Sequence, residues 1–286
     1  MDIETKYGLL KENIKNLGRV AVAYSGGIDS TLLLKVCHDV LGDNVTAVSI
    51  RTDLQPRREY VGSDDFIKKE GIKHHIINFN NYDLLCFKKN PPDRCYHCKK
   101  EILSRIIDIA NNEGISTIVD GSNTDDLGDY RPGRKATIEL NVKSPLLDAE
   151  MSKKEIRILS KKLGLYTWEK FSPACMASRF PYGTSITPER IAMLNAAEQI
   201  LLDLGFTQFR VRFHGEVARI EVMNDEIERF FDRTFMQMVA KKIKQVGFSY
   251  VSLDLDGYRM GSMNDNVNMV LCQDLVQVKM RNFYPF

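Results

Sequence analysis

Residues 19–41 read RVAVAYSGGIDSTLLLKVCHDVL, and their reading decides the fold. Arg19 to Tyr24 is a short apolar run of the kind that forms a buried strand. Asp29 to Leu41 carries apolar residues at helical spacing and is closed by Gly42. Between strand and helix lies Ser25-Gly26-Gly27-Ile28-Asp29-Ser30. Two glycines let the backbone turn tightly and approach a ligand. Successive amides and the helix N-terminus then form a cradle for phosphate oxygens. The Ser25 and Ser30 hydroxyls add donors, and Asp29 serves as helix cap or magnesium ligand. The absence of Gly-Lys-Ser/Thr separates this loop from the P-loop of ordinary nucleoside triphosphatases. The alternative is a plain strand-to-helix turn with a capping aspartate.

The pattern repeats outward from this turn. A helix is expected from Ile3 to Leu17, and further strands at Asn44 to Ile50, His74 to Asn78 and Ser116 to Asp120. Helical segments run up to Glu70 and from Cys95 to Glu113. Strands alternating with helices give an α/β fold with a parallel sheet wrapped on both faces. Its ligands belong at the carboxyl ends of the strands. There lies the loop GSNTDDLGDYRPG, residues 121–133, with Asp125, Asp126, Asp129 and Arg131. These acidic residues are loop-forming Asx groups or contacts to magnesium, ribose and pyrophosphate. A helix with a Ser-x-x-Glu capping box spans Ser152 to Leu163.

The Pro-, Gly-, Ser- and Thr-rich stretch from Phe171 to Thr187 reads as a boundary. It divides residues 1–170 from a smaller α+β domain at 171–286. In the second part a helix from Pro188 to Gly205 starts at the Thr187 cap. Strands follow at Phe209 to Phe213, Arg219 to Met223 and Tyr250 to Leu255, with a helix across Asp225 to Val246. Arg210 and Arg212 share one face of their strand, an arrangement that suits a phosphate or a solvated basic stripe.

The 286 residues are ample for a sizeable core, and 43% hydrophobic with 27% charged residues is an ordinary soluble composition. A formal net charge of +2 offers no bulk field for nucleic acid. The start is charged and amphipathic, and no apolar run approaches the roughly 18 residues of a membrane span. A cytoplasmic protein is therefore expected, with no membrane or nucleic-acid partner. Six cysteines in a reducing compartment are not read as disulfides. Cys37, Cys86 and Cys272 have apolar neighbours and read as core. Cys95 and Cys98 form a Cys-x-x-Cys pair at the start of a helix, open to zinc, iron–sulfur or redox chemistry. Cys175 lies in the polar loop PACMASRFPYG, residues 173–183.

SGGIDS resembles the PP-loop of the adenine-nucleotide alpha-hydrolase superfamily, whose members cleave ATP between the α and β phosphates. Together with GSNTDDLGDYRPG, PACMASRFPYG and FRVRFHG it resembles the LarE family, across both halves of the chain. That resemblance implies an AMP-forming sulfurtransferase acting on pyridinium-3,5-biscarboxylic acid mononucleotide, for the nickel-pincer cofactor of lactate racemase. It implies Asp29 and Ser30 as catalytic residues beside Cys175. It implies ATP contacts at Ala23, Ser25, Gly26, Gly27, Ile50, Gly121, Asn123, Asp125 and Arg131. Ser178, Arg179, Arg210 and Arg212 are implied to hold the substrate, and ATP, Mg2+ and an iron–sulfur cluster to be the cofactors. One branch of the family gives up the sulfur of its single cysteine. In the other, the equivalents of Cys95, Cys98 and Cys175 hold a [4Fe-4S] cluster with one open iron, and this chain resembles the second. Glu198 and Glu221 remain candidates for a divalent cation. A homo-oligomer is implied. The rivals are a tRNA-thiolating PP-loop enzyme, a non-catalytic sensor and a zinc-stabilised module.

Overall fold

A computed structural model describes residues 1–55, 58–128, 132–170 and 174–259. The chain divides into two compact units: Met1–Cys86 with Asp93–Ala174, and Phe87–Pro92 with Cys175–Phe286.

The first unit runs α1 (Ile3–Lys15), β1 (Val20–Ala23), α2 (Ile28–Leu41), β2 (Val45–Arg51), α3 (Arg58–Glu70) and β3 (Lys73–Asn78). It continues through α4 (Leu85–Lys89, shared with the second unit), α5 (Arg94–Asn112), β4 (Thr117–Val119), α6 (Gly133–Glu139), α7 (Pro145–Asp148) and α8 (Lys153–Lys162). The four strands form one parallel sheet in the order β3-β2-β1-β4. The parallel α/β sheet read from the sequence is therefore present. Strand alternation sorts the core into two layers. Val20 and Val22 pack with Leu10, Ile14, Leu32, Leu33, Ile156 and Leu159, from α1, α2 and α8. Ala21 and Val48 pack with Leu103, Ile106 and Ala110 of α5. The chain leaves β1 toward β2 on one side and returns on the other as β4. The carboxyl ends of β1 and β4 are thus a topological switch point, where open α/β sheets bind ligands.

The second unit runs α9 (Pro188–Asp203), β5 (Phe209–His214), β6 (Val217–Val222), α10 (Arg233–Gln245) and β7 (Tyr250–Leu253). Its sheet order is β5-β6-β7, the first pair antiparallel and the second parallel. Phe87–Pro92 joins this unit through backbone bonds from Ile186 N to Phe87 O at 2.9 Å and from Gly183 N to Asn90 O at 2.9 Å. The single helix expected over Asp225 to Val246 is in fact a 3-10 stretch, Asn224–Phe231, followed by α10. Asp232 makes the break: its backbone is extended and its carboxylate accepts from Phe235 N, so it caps a new helix.

Candidate active site

Gly26 turns the chain after β1 at φ 74°, a conformation that glycine adopts without strain. Gly27, not Asp29, stands at the N-cap of α2. The loop is cross-tied by its serines. Ser25 Oγ lies 3.0 Å from Ser30 Oγ, and Ser30 Oγ donates to Gly27 O at 3.2 Å. Asp29 thus sits in the first turn with its carboxylate turned to other work. One oxygen, Oδ2, accepts from Lys153 Nζ at 3.1 Å, while Oδ1 is buried with no hydrogen-bond partner among the described residues. Burial raises the carboxyl's pKa, and the Lys153 ammonium opposes that shift.

Sequence reasoning missed Lys153. It is the first residue of α8, directly after the capping residue Ser152, and its backbone N–H donates to Asp125 Oδ2 at 2.7 Å. Only the packing of α8 beside α2 brings its ammonium to the glycine turn, so local pattern carries no signal of it. Gly121, just past β4, abuts the same turn: a Cβ built there would stand 2.9 Å from Ser30 N. Asn123 is buried, and its side chain accepts from Asp125 N at 3.1 Å. Asp126 Oδ2 accepts from Asn123 N at 3.1 Å, completing a capping box. Asn123, Asp125 and Asp126 therefore shape the loop. Ala23 ends β1, and Ile50 is the last residue but one of the neighbouring β2. Asp129 and Arg131 lie outside the described residues.

Cys95 and Cys98 are the second and fifth residues of α5, three apart and so on one helix face. Neither is in a disulfide among the described residues; Cys95 is exposed and Cys98 half-buried. Each sulfur has an N–H donor: Asn81 Nδ2 at 3.4 Å from Cys98 Sγ, and Arg94 Nη2 at 3.8 Å from Cys95 Sγ. His97 is turned to Asp93 at 3.2 Å. Cys37 and Cys86 are buried, as expected of core residues, and Cys272 lies outside the described residues. Among the described residues no group of three or more His, Cys, Asp or Glu side chains stands in a metal-ligating array.

In the second unit Cys175 is exposed and precedes a 3-10 turn, Met176–Arg179. Its carbonyl accepts from Ser178 N at 2.9 Å and Arg179 Nη1 at 3.2 Å. Arg179 is buried and grips Glu198 with two bonds of 2.9 and 3.0 Å. Arg212 is likewise buried. It binds Glu221 at 2.9 and 2.7 Å and donates to Ser178 O at 3.0 Å. Glu198 and Glu221, candidates for a divalent cation on sequence grounds, are thus engaged by arginines. The two strand arginines differ. Among the described residues Arg210 has no carboxylate partner; it donates to Phe209 O at 2.6 Å and lies 5.0 Å from the centre of the Tyr258 ring. Burial, with the nearby Arg179 charge, lowers its pKa. Of the two, Arg210 is the one able to accept an anion.

A strand, a left-handed glycine turn tied by two serines, and a helix at the switch point of a parallel sheet define a PP-loop enzyme, one that uses ATP. Comparison with known proteins agrees. Residues 3–109 match the NAD synthase family. The pyridinium-3,5-bisthiocarboxylic acid mononucleotide synthase of Lactiplantibacillus plantarum is 42% identical over 268 residues, covering 93% of this chain and 96% of that protein. An uncharacterized protein of Synechocystis is 38% identical, covering 92% and 98%. A glutamine-hydrolyzing GMP synthase chain of Thermoplasma volcanium is 28% identical over 67% of this chain and 66% of its own. The chain belongs to the LarE family, that of the Lactiplantibacillus synthase.

Proposed function

We propose that the protein uses ATP to adenylylate the carboxylates of pyridinium-3,5-biscarboxylic acid mononucleotide and replaces each with a thiocarboxylate, in nickel-pincer cofactor biosynthesis. The observation that carries this reading is the phosphate cradle, with the buried Asp29 Oδ1, unpartnered among the described residues, at its edge. The relative's name supplies the substrate.

In this reading residues 1–170 bind ATP, and residues 171–286 bind the mononucleotide and form the contacts of a homo-oligomer in the cytoplasm. The amides of Gly26, Gly27 and Asp29, with the Ser25 and Ser30 hydroxyls, hold the polyphosphate. Ala23, Ile50, Gly121, Asn123, Asp125 and Arg131 contact the rest of the nucleotide. Asp29 Oδ1 suits Mg2+, since a buried carboxylate oxygen without a donor is stabilised by a cation. A substrate carboxylate attacks the α-phosphorus, the bond to the β-phosphate breaks, and pyrophosphate leaves with its developing charge met by fixed amides and Lys153. Arg210 receives the substrate's phosphate. Arg179, Arg212 and Ser178 hold the loop of Cys175. A sulfur nucleophile then takes the acyl group and AMP departs.

Cys95, Cys98 and Cys175 would hold a [4Fe-4S] cluster, and the chemistry such a group would supply is the delivery of sulfide. Two thiols three residues apart on one helix, each with an N–H donor on its sulfur, fit such a group. The alternative that Cys175 gives up its own sulfur is supported by that residue's exposure. A tRNA substrate is disfavoured by the net charge of +2.

The test is anaerobic purification with iron and sulfide quantitation, then turnover with ATP and the biscarboxylate. The expected outcome is AMP and pyrophosphate formed only with substrate present, and a polypeptide of unchanged mass. Formation of ADP overturns the reaction; loss of one sulfur from the chain overturns the cluster.

A further inference from the structure

We infer that Asn81 is a positioning residue for the sulfur of Cys98, holding it for a metal by a single N–H···S bond. The inference rests on the reading of Cys95 and Cys98 as metal ligands.

Asn81 begins a short 3-10 turn, Asn81–Asp83, and is 2% exposed. An asparagine amide is expensive to bury unless its polar atoms are bonded. The turn does not need this amide. Its cap is Asn80, whose side chain accepts from Tyr82 N at 3.2 Å, and the backbone closes from Leu84 N to Asn81 O at 3.1 Å. The Asn81 side chain has one hydrogen bond among the described residues, from Nδ2 to Cys98 Sγ at 3.4 Å. Its Oδ1 is buried with no hydrogen-bond partner among the described residues. A leucine of similar shape would serve the fold without leaving a buried carbonyl unsatisfied. What leucine lacks is the donor.

A donor is what a metal-bound sulfur uses. A thiolate ligand keeps lone pairs beyond the one on the metal, and an N–H directed at them fixes the sulfur's rotamer and offsets its charge. Arg94, 5% exposed, reaches Cys95 Sγ in the same manner. Each sulfur of the pair is thus met by a buried donor, the two donors coming from different segments. That arrangement favours two sulfurs held apart as ligands over a pair meant to close as a disulfide.

The experiment measures cadmium binding to the metal-free full-length protein, by thiolate-to-metal ultraviolet absorption. Asn81→Leu is compared with the unaltered chain and with Cys98→Ser. Cys98→Ser sets the affinity without this ligand. Asn81→Leu is expected to weaken cadmium binding about 10- to 100-fold, the usual cost of removing an outer-shell partner. Its melting temperature should hold or rise. In the reconstituted iron–sulfur protein the same variant should lower the midpoint potential, because N–H···S bonds stabilise the more negative reduced state. Should Asn81→Leu not fold, Asn81→Ala carries the comparison. Unchanged cadmium affinity in the Asn81 variant overturns the inference. So does cadmium binding by the unaltered chain no tighter than by Cys98→Ser, since the pair is then not a ligand at all. Tight cadmium binding by an unaltered chain that never retains iron would leave Asn81's role standing and sink only the cluster.

Discussion

Gly121→Ala is expected to lower kcat/KM for pyrophosphate release by about 100-fold, the scale on which a displacement near 1 Å at a reacting centre acts. The new Cβ would stand 2.9 Å from Ser30 N, 3.1 Å from Asp29 C and 3.2 Å from Ser30 Cα. All three are backbone atoms of the first turn of α2, so no side chain can swing aside. Either the end of β4 or the helix N-terminus must shift, and the amides proposed to hold the polyphosphate shift with it. The loss should come with a raised KM for ATP. Gly128→Ala is the control: it lies in the same loop, and a Cβ there meets nothing within 4 Å. Steady-state pyrophosphate release, with ATP varied and the biscarboxylate saturating, gives kcat/KM and KM for each variant. Equal activity of the two variants would mean that the contact between Gly121 and the glycine turn does not matter to catalysis.

Glu221→Gln should cost about 3–5 kcal/mol of stability, the range for removing one partner of a buried ion pair. Glu221 is fully buried and takes bonds from Arg212 at 2.9 and 2.7 Å and from Arg219 at 3.0 Å. Without its charge, the buried Arg212 guanidinium loses its counterion. Urea unfolding of the full chain reads the loss as a lower midpoint with an unchanged slope. Arg210→Gln is the informative contrast. Arg210 has no carboxylate partner among the described residues, so its removal strands no buried anion. It should leave stability within about 1 kcal/mol and raise KM for the mononucleotide. If Glu221→Gln is as stable as the unaltered chain, the buried pair does not hold the second sheet as described.

The sequence made the first unit's framework legible because each element announces itself locally. RVAVAY is apolar and short, two glycines follow, and STLLLKVC has helical spacing. The catalytic surroundings were less legible because they depend on packing between elements distant in the chain. Asp29 was open to a capping role, yet Gly27 takes that position and Asp29 meets Lys153, 124 residues away. Arg210 and Arg212 were read correctly as sharing a face, but alternation says nothing of partners. The hairpin register sets Glu221 opposite Arg210, yet its carboxylate goes to Arg212 on the diagonal. Pairing FRVRFH with VARIEV around the Gly215-Glu216 turn would have brought Glu221 to that strand, so a signal existed. Asn81 gave none, because a buried amide and a turn residue look alike in sequence.

The central claim, that a substrate carboxylate takes the adenylyl group, is tested most directly by isotope transfer. The biscarboxylate is labelled with oxygen-18 in both carboxyl groups and turned over with unlabelled ATP, and the AMP is weighed by mass spectrometry. Attack on the α-phosphorus followed by acyl transfer to sulfur leaves one carboxylate oxygen on the phosphate, so each AMP formed should carry one heavy oxygen. Unlabelled AMP, or label found in pyrophosphate or in ADP, would contradict it.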